Sequence, residues 1–321
     1  MEELTVGVDL GGTKIAAVLL DSAGEILGEV RRPTGAEGGL EAVLRAIVDS
    51  VRDLAGEVRG RIAAVGLGAP GPLNRREGVI YQAPNLPGWR DVPIVRLLQD
   101  ELGYPVFLEN DANAAGFGEW ALGAGRGTRD MIYLTISTGI GGGLIIDGRI
   151  HHGRDDGAGE VGHMTVLPDG PRCGCGRKGC WEALASGTAI ARAMVARLGS
   201  GGESRVLALA GGNPEAITAA LVAQAAREGD ALAREVLDHA FYYLAVGIVN
   251  LIHLLNPEAV VIGGGVAKMG EELFAPVRAM VKERAYPVMT RDLPIVPAAL
   301  GDRAGALGAA MVARHALGEK G

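Results

Sequence analysis

One imidazole and three thiols fall within 18 residues of this 321-residue chain: His163, Cys173, Cys175 and Cys180. Together they supply the four N/S ligands of a closed tetrahedral zinc site. Glycines and basic residues separate the thiols, so the loop can wrap an ion. An odd, clustered set of cysteines behind an acidic Met1-Glu2-Glu3 start, read as lacking a signal peptide, argues for reduced thiols rather than a disulfide frame. The set leaves no open position and no layout for activating water, so the Zn²⁺ is expected to be structural. Its role would be to hold Glu160, in Gly159-Glu160-Val161-Gly162-His163, and Glu182, just past Cys180, in one place with His163.

A second chemistry is written in glycine. Asp9-Leu10-Gly11-Gly12-Thr13-Lys14 ends one strand-like run and opens another. Two glycines let backbone N–H groups approach phosphate oxygens, Thr13 adds a hydroxyl, and Asp9 is placed to meet hydrated Mg²⁺. Alone, the run fits a Gly-rich β-turn with a solvated Asp9 equally well. The weighing changes with a second tip, Thr138-Gly139-Ile140-Gly141-Gly142-Gly143, and a third Gly turn, Gly263-Gly264-Gly265, after Val260-Val261-Ile262. Two phosphate hairpins in two similar halves describe a nucleotide-binding chain of the actin, sugar-kinase and chaperone ATPase type, which the pattern resembles. Other glycine patterns are rejected. With 51 glycines, chance matches to G-x-G-x-x-G arise at Gly66–Gly71, Gly157–Gly162 and Gly174–Gly179, and none lies between a strand and a helix as a dinucleotide site requires.

The elements that must position these groups alternate. Leu4 to Leu20 and Met131 to Ile146 each read as strand, Gly tip, strand. Ile62 to Leu67, Val106 to Glu109 and Ala259 to Ile262 read as further strands. Helical patterns cover Ala36 to Leu54, Ala183 to Leu198, Pro214 to Glu228, Ala231 to Leu255 and about Arg303 to Leu317. Strands alternating with helices mean an α/β architecture. The repeated hairpin grammar predicts two lobes: 1–114, joined by the C-terminal helix 303–321, and 115–302, carrying the zinc loop. A net charge of -7 without a basic block excludes a dedicated nucleic-acid binder. The longest apolar stretch, Ala240 to Leu255, is interrupted by Asn250 and His253 and is shorter than a membrane span, so no membrane association is expected and a cytoplasmic location is. His239 and His253 read as core or helix-face residues, Trp181 as packing, and His151 and His152 as members of an exposed hairpin loop.

The run Cys-x-Cys-Gly-x-x-Gly-Cys-x-Glu, with the upstream Glu-x-Gly-His and the Asp-x-Gly-Gly-Thr-Lys start, resembles the ROK family of bacterial sugar kinases and repressors from Val6 to about Gly308. The resemblance implies a two-lobed actin-like fold with ATP and a hexose meeting between lobes. It implies Asp111, in Glu109-Asn110-Asp111-Ala112-Asn113, as general base; from the residues alone Asp111 reads equally as an N-cap. It further implies Asn110, Asp111, Glu160, His163, Glu182 and Asn85 around the sugar, and His163 serving both zinc and a hydroxyl through its two ring nitrogens. ATP·Mg²⁺ would be cradled by Gly11, Gly12, Thr13, Lys14, Thr138 and Gly139, with adenosine near Gly264. Only about eight residues precede Asp9, where family repressors carry a DNA-binding domain, which favours the kinase branch. The expectation is a glucokinase acting on the 6-hydroxyl, as a homo-oligomer (dimer or tetramer). The alternatives are a fructose, mannose or N-acetylmannosamine kinase, or a non-catalytic sugar-binding regulator.

Overall fold

The computed structural model describes residues 3–83 and 85–318, so Pro84 and positions 319–321 of the expected C-terminal helix lie outside the described residues. The chain divides into two units. Unit 1 takes the residues up to Tyr133, Gly143–Gly159 and everything from Ala298 on; unit 2 takes Leu134–Gly142 and Glu160–Pro297.

In unit 1, β1 (Leu4–Leu10) and β2 (Lys14–Leu20) form an antiparallel hairpin with Leu10 opposite Ile15. Next come β3 (Ile26–Pro33), antiparallel to β2, and β4 (Ile62–Ala69), parallel to β1. A small meander of β5 (Leu73–Asn74), β6 (Val79–Gln82) and β7 (Arg90–Val92) precedes β8 (Val106–Asn110), which runs parallel to β4. The order is β3-β2-β1-β4-β8. Strand β2 is apolar without alternation because both its faces are covered. Ile15, Ala17 and Leu19 enter one cluster with Val43 and Ile47 of α1 (Gly39–Ala55), while Ala16, Val18 and Leu20 enter another with Ala306, Leu307 and Ala310 of the C-terminal helix, Ala304–Gly318. Helix α2 (Ile94–Leu102) buries Ile94, Leu98 and Leu102 on a single stripe.

Helix α3 (Asp111–Leu122) is largely buried between Ala112 and Glu119 and lies against the C-terminal helix. Gly118 makes the close crossing possible, since a Cβ there would come within 2.8 Å of the Ala304 carbonyl oxygen. The buried Glu119 carboxylate then fastens the chain re-entering unit 1. It accepts the backbone N–H groups of Ala124, Ala299 and Leu300 at 2.9, 3.0 and 2.7 Å.

The second sheet has the order β11-β10-β9-β12-β13, from β9 (Met131–Ile136), β10 (Ile140–Ile146), β11 (Arg149–Ile150), β12 (Ala259–Gly263) and β13 (Ile295–Pro297). The single helix expected over 183–198 is broken at Ser186 into α4 (Glu182–Ala185) and α5 (Gly187–Gly199). Ser186 adopts extended backbone and its hydroxyl oxygen caps α5 through the Ala189 N–H at 3.1 Å, so capping overrides helix propensity here. Between 200 and 228 lie α6 (Val206–Leu209), a single turn over Pro214–Ala216, and α7 (Ala219–Arg227), capped by Thr218. Helix α8 (Ala231–Leu255) is long and apolar enough to cross a membrane, but it is mostly buried inside the protein, where it packs against α4, α5, α7 and α9 (Glu271–Arg284). Trp181 is fully buried against Gly247 of α8 and donates Nε1–H to the Tyr243 carbonyl at 2.8 Å, a packing role. A final turn, α10 (Pro287–Thr290), precedes β13.

Candidate active site

The first glycine tip joins β1 to β2. Gly11 N–H closes the turn on the Lys14 carbonyl at 3.0 Å. Thr34, fully buried just after β3, braces the tip. Its hydroxyl donates to the Gly11 carbonyl at 2.7 Å and its N–H to the Thr13 carbonyl at 3.0 Å. Thr13 and Lys14 are exposed. Gly12 meets the loop carrying Asn85: a Cβ at residue 12 would sit 2.5 Å from the Asn85 Cβ. The hairpin and Asn85 are therefore neighbours, which nothing in their spacing reveals.

Asp9 is the next-to-last residue of β1, just ahead of this tip. Burial raises its carboxyl to about 6, the Asp111 charge adds to the rise, and Lys14 opposes it. Asp111 itself opens α3, but it is not the cap. Asn110 caps the helix, its Oδ1 accepting the N–H groups of Ala112 and Asn113 at 2.9 and 3.2 Å. The N-cap role that the residues alone allowed for Asp111 thus falls one position earlier. Asp111 is exposed, one of its oxygens accepting the Ala112 N–H at 2.7 Å. With Oδ1 of Asn110 committed to the cap, its Nδ2 is the group left to donate to a ligand.

In unit 2 the second tip, between β9 and β10, is held by the start of α5. Gly187 N–H donates to the Ser137 carbonyl at 2.7 Å. Glu182 reaches the same tip: its Oε2 accepts the Ile140 N–H at 3.1 Å, and a Cβ at Gly139 would collide with that oxygen. Gly264, with φ 89°, follows β12. Ser137, Thr138, Gly187, Thr188, Gly265 and Val266 line a cavity of about 830 Å³, extended by Arg192, Ile217 and Lys268. Its walls are largely apolar and its size suits a nucleoside.

The four expected zinc ligands come together, with one ligand atom each of His163, Cys173, Cys175 and Cys180 within 4.8 Å of one another. Sulfurs 2.3 Å from a tetrahedral zinc lie about 3.8 Å apart; Cys175 Sγ and Cys180 Sγ are 3.6 Å apart, and Cys173 Sγ is 3.8 Å from His163 Nδ1. The donor set and its spacing fit zinc. Burial pushes the Cys173 thiol up to about 12 and the Cys180 thiol upward, while a backbone hydrogen bond at Arg177 draws Cys175 down to about 7. A metal must displace those thiol protons. Because Nδ1 faces the thiols, His163 keeps Nε2 for the other side, 3.9 Å from Glu160 Oε2. Glu182 Oε1 lies 3.5 Å from Cys173 Sγ. One carboxylate thus touches both the metal loop and the second glycine tip.

His152 departs from expectation. It is half-buried, not exposed, with Nε2 2.7 Å from Glu109 Oε2. His239 and His253 are exposed helix-face residues. Thr34, Glu109 and His152 carried no motif; the only hint was the position of Glu109 ahead of Asn110-Asp111.

The ROK family profile matches residues 5–316. The glucokinase of Thermotoga maritima is 41% identical over 314 residues, spanning 98% of both chains. Among solved structures, a ROK family glucokinase from Streptomyces griseus, in complex with glucose and AMPPNP, is 38% identical with a TM-score of 0.79 over 97% of this chain and 99% of its own. The ROK hexokinase of Thermus thermophilus is 39% identical with a TM-score of 0.83 over 98% and 99%. The α/β fold anticipated from the alternating elements is the sugar-kinase fold of these relatives. With the whole length matched and the glycine tips and cysteine loop in place, the chain belongs to the ROK family.

Proposed function

We propose that this protein is an ATP-dependent glucokinase, transferring the γ-phosphoryl group of ATP to the 6-hydroxyl of glucose. The observation that carries the reading is the corner between β8 and α3, where Asn110 takes over the helix cap and leaves Asp111 exposed beside Asp9. Full-length relatives named as glucokinases support it, as does the Streptomyces griseus relative, which holds glucose and an ATP analogue.

In this reading Asp111 accepts the 6-hydroxyl proton as that oxygen bonds to the γ-phosphorus and the bond to ADP breaks. Asn110, Glu160, His163 through Nε2, and Glu182 hold the other hydroxyls, with Asn85 beside the first tip. Gly11, Gly12, Thr13, Lys14, Thr138 and Gly139 bind the phosphates, and the cavity past Gly264 takes the adenosine. Mg²⁺, when bound, supplies charge neutralisation on the phosphates, and Asp9 would hold it through water. Zn²⁺ would be held by His163, Cys173, Cys175 and Cys180, fixing the ring of His163 and the start of α4. A homo-oligomeric, cytoplasmic enzyme completes the reading; sedimentation equilibrium and cell fractionation test those two points.

The decisive experiment is a coupled ADP-release assay over glucose, mannose, fructose and N-acetylmannosamine. Glucose should give the highest kcat/KM. Turnover of another hexose above glucose would reassign the substrate, and no turnover with any would favour a sugar-binding regulator.

A further inference from the structure

The transfer step leaves one buried carboxylate unexplained. Glu109, next to last in β8, is 2% exposed. Its Oε1 accepts the Asn110 backbone N–H and the Asn113 side-chain amide, both at 3.0 Å, and its Oε2 meets His152 Nε2 at 2.7 Å. A carboxylate this buried is tolerated only when its lone pairs are filled, and 2.7 Å is the range of a charge-assisted bond. With Glu109 ionised, Nε2 of His152 must carry the hydrogen.

Every group that Glu109 holds bears on the Asn110–Asp111 corner. The Asn110 amide sets the backbone that Asp111 continues, and Asn113 lies one turn into the helix that Asn110 caps. His152 arrives from a segment that is itself fastened. Ala158 N–H donates to the His152 carbonyl at 3.0 Å, and Asp156, in left-handed backbone at φ 55°, accepts the N–H and Nε of Arg75 at 3.0 and 3.1 Å. The backbone that carries the imidazole is thus fastened independently of Glu109.

We propose that His152 is a positioning residue for phosphoryl transfer, acting through Glu109 on the corner that presents Asn110 and Asp111. The inference rests on Asp111 as the base. Displacing a reacting group by about 1 Å can cost roughly 10²-fold, and with its Oε2 partner removed the Glu109 carboxylate is held through Oε1 alone.

The test uses the zinc-loaded full-length enzyme and reads glucose and ATP separately. His152→Ala should lower kcat/KM for glucose about 10- to 100-fold and weaken glucose binding measured calorimetrically in an Asp111→Asn background, with the ATP KM within about threefold of parent. His152→Gln, which keeps a donor, should recover most of the loss. Glu109→Gln is the second variant, for use if His152→Ala folds poorly. It preserves size but turns an NH₂ toward a donor, and should show the same glucose-selective loss. Parental glucose constants in His152→Ala, or in Glu109→Gln, overturn the proposal. So does an equal loss for ATP and glucose that His152→Gln fails to relieve. An inactive Asp111→Asn beside a parental His152→Ala removes the positioning role and leaves the base assignment standing; a fully active Asp111→Asn removes both.

Discussion

Replacing Gly139 by Ala tests whether the second glycine tip and the proposed sugar site are mechanically joined. The backbone at residue 139 is not in the left-handed region, so the added methyl brings no dihedral strain. Its effect is steric: the Cβ falls on Glu182 Oε2, the oxygen that accepts the Ile140 N–H at 3.1 Å. The carboxylate must swing away, and the hydrogen bond is lost with it. A hydrogen bond to a charged acceptor contributes about 1.5–3 kcal/mol, which is roughly 10- to 150-fold in an equilibrium constant. Because Glu182 also faces Cys173 in the metal loop, the swing displaces a proposed glucose ligand, and Ile140 loosens the proposed phosphate tip. Glucose Kd, measured by calorimetry without nucleotide, should rise by at least about tenfold, and the ATP KM from a coupled assay should rise with it. Glu182→Gln serves as the comparison: it keeps an acceptor for Ile140, so ATP should suffer less than in Gly139→Ala. A Gly139→Ala enzyme whose glucose Kd matches the parent would refute the reasoning, because the methyl would then have been accommodated without moving Glu182.

Asp111→Asn preserves size and leaves the Asn110 cap intact, so kcat should fall about 10²-fold or more with little loss of folding; near-parental turnover in the coupled assay would remove Asp111 as the base. Elemental analysis should find close to one zinc per chain, and Cys175→Ser should weaken glucose binding about 10- to 100-fold. Through Glu182 the same change should also reach the ATP constants, and a zinc-free protein of parental activity would contradict the whole arrangement. Asp9 is raised to about 6 in the folded state, so its contribution to stability is complete below the unfolded carboxyl range and is lost as pH rises through about 6. Asp9→Asn removes that titration, so the Tm of the variant minus that of the parent should grow as pH rises from about 4 to about 6 and level off above that; a pH-independent difference would show that the folded carboxyl is not raised.

The sequence by itself carried the local features of this protein. The glycine tips, the strand runs and the Cys/His loop are short-range patterns, because turn geometry and metal chelation demand particular residue types within a few positions. Residues 163–180 could be read as a zinc site for that reason, and their ligand atoms do converge. Helix ends were less legible. Asn110 took the cap that Asp111 could have supplied, and Ser186 capped α5 inside a run that reads as one helix; which side chain caps depends on backbone angles that the surrounding packing selects.

Tertiary structure alone decided the contacts that tune the candidate site. Glu109 and His152 are separated by 43 positions, Glu182 and Ile140 by 42, and no periodicity links either pair. Gly12 meets Asn85 only because the loop after β6 returns to the β1–β2 tip. A buried carboxylate must find donors, but composition cannot say which, since every exposed His, amide or hydroxyl is an equal candidate until strands are paired in register. Pairing and helix packing remove that degeneracy. They bring one imidazole within 2.7 Å of Glu109, and they turn a loop histidine that reads as exposed into a half-buried partner.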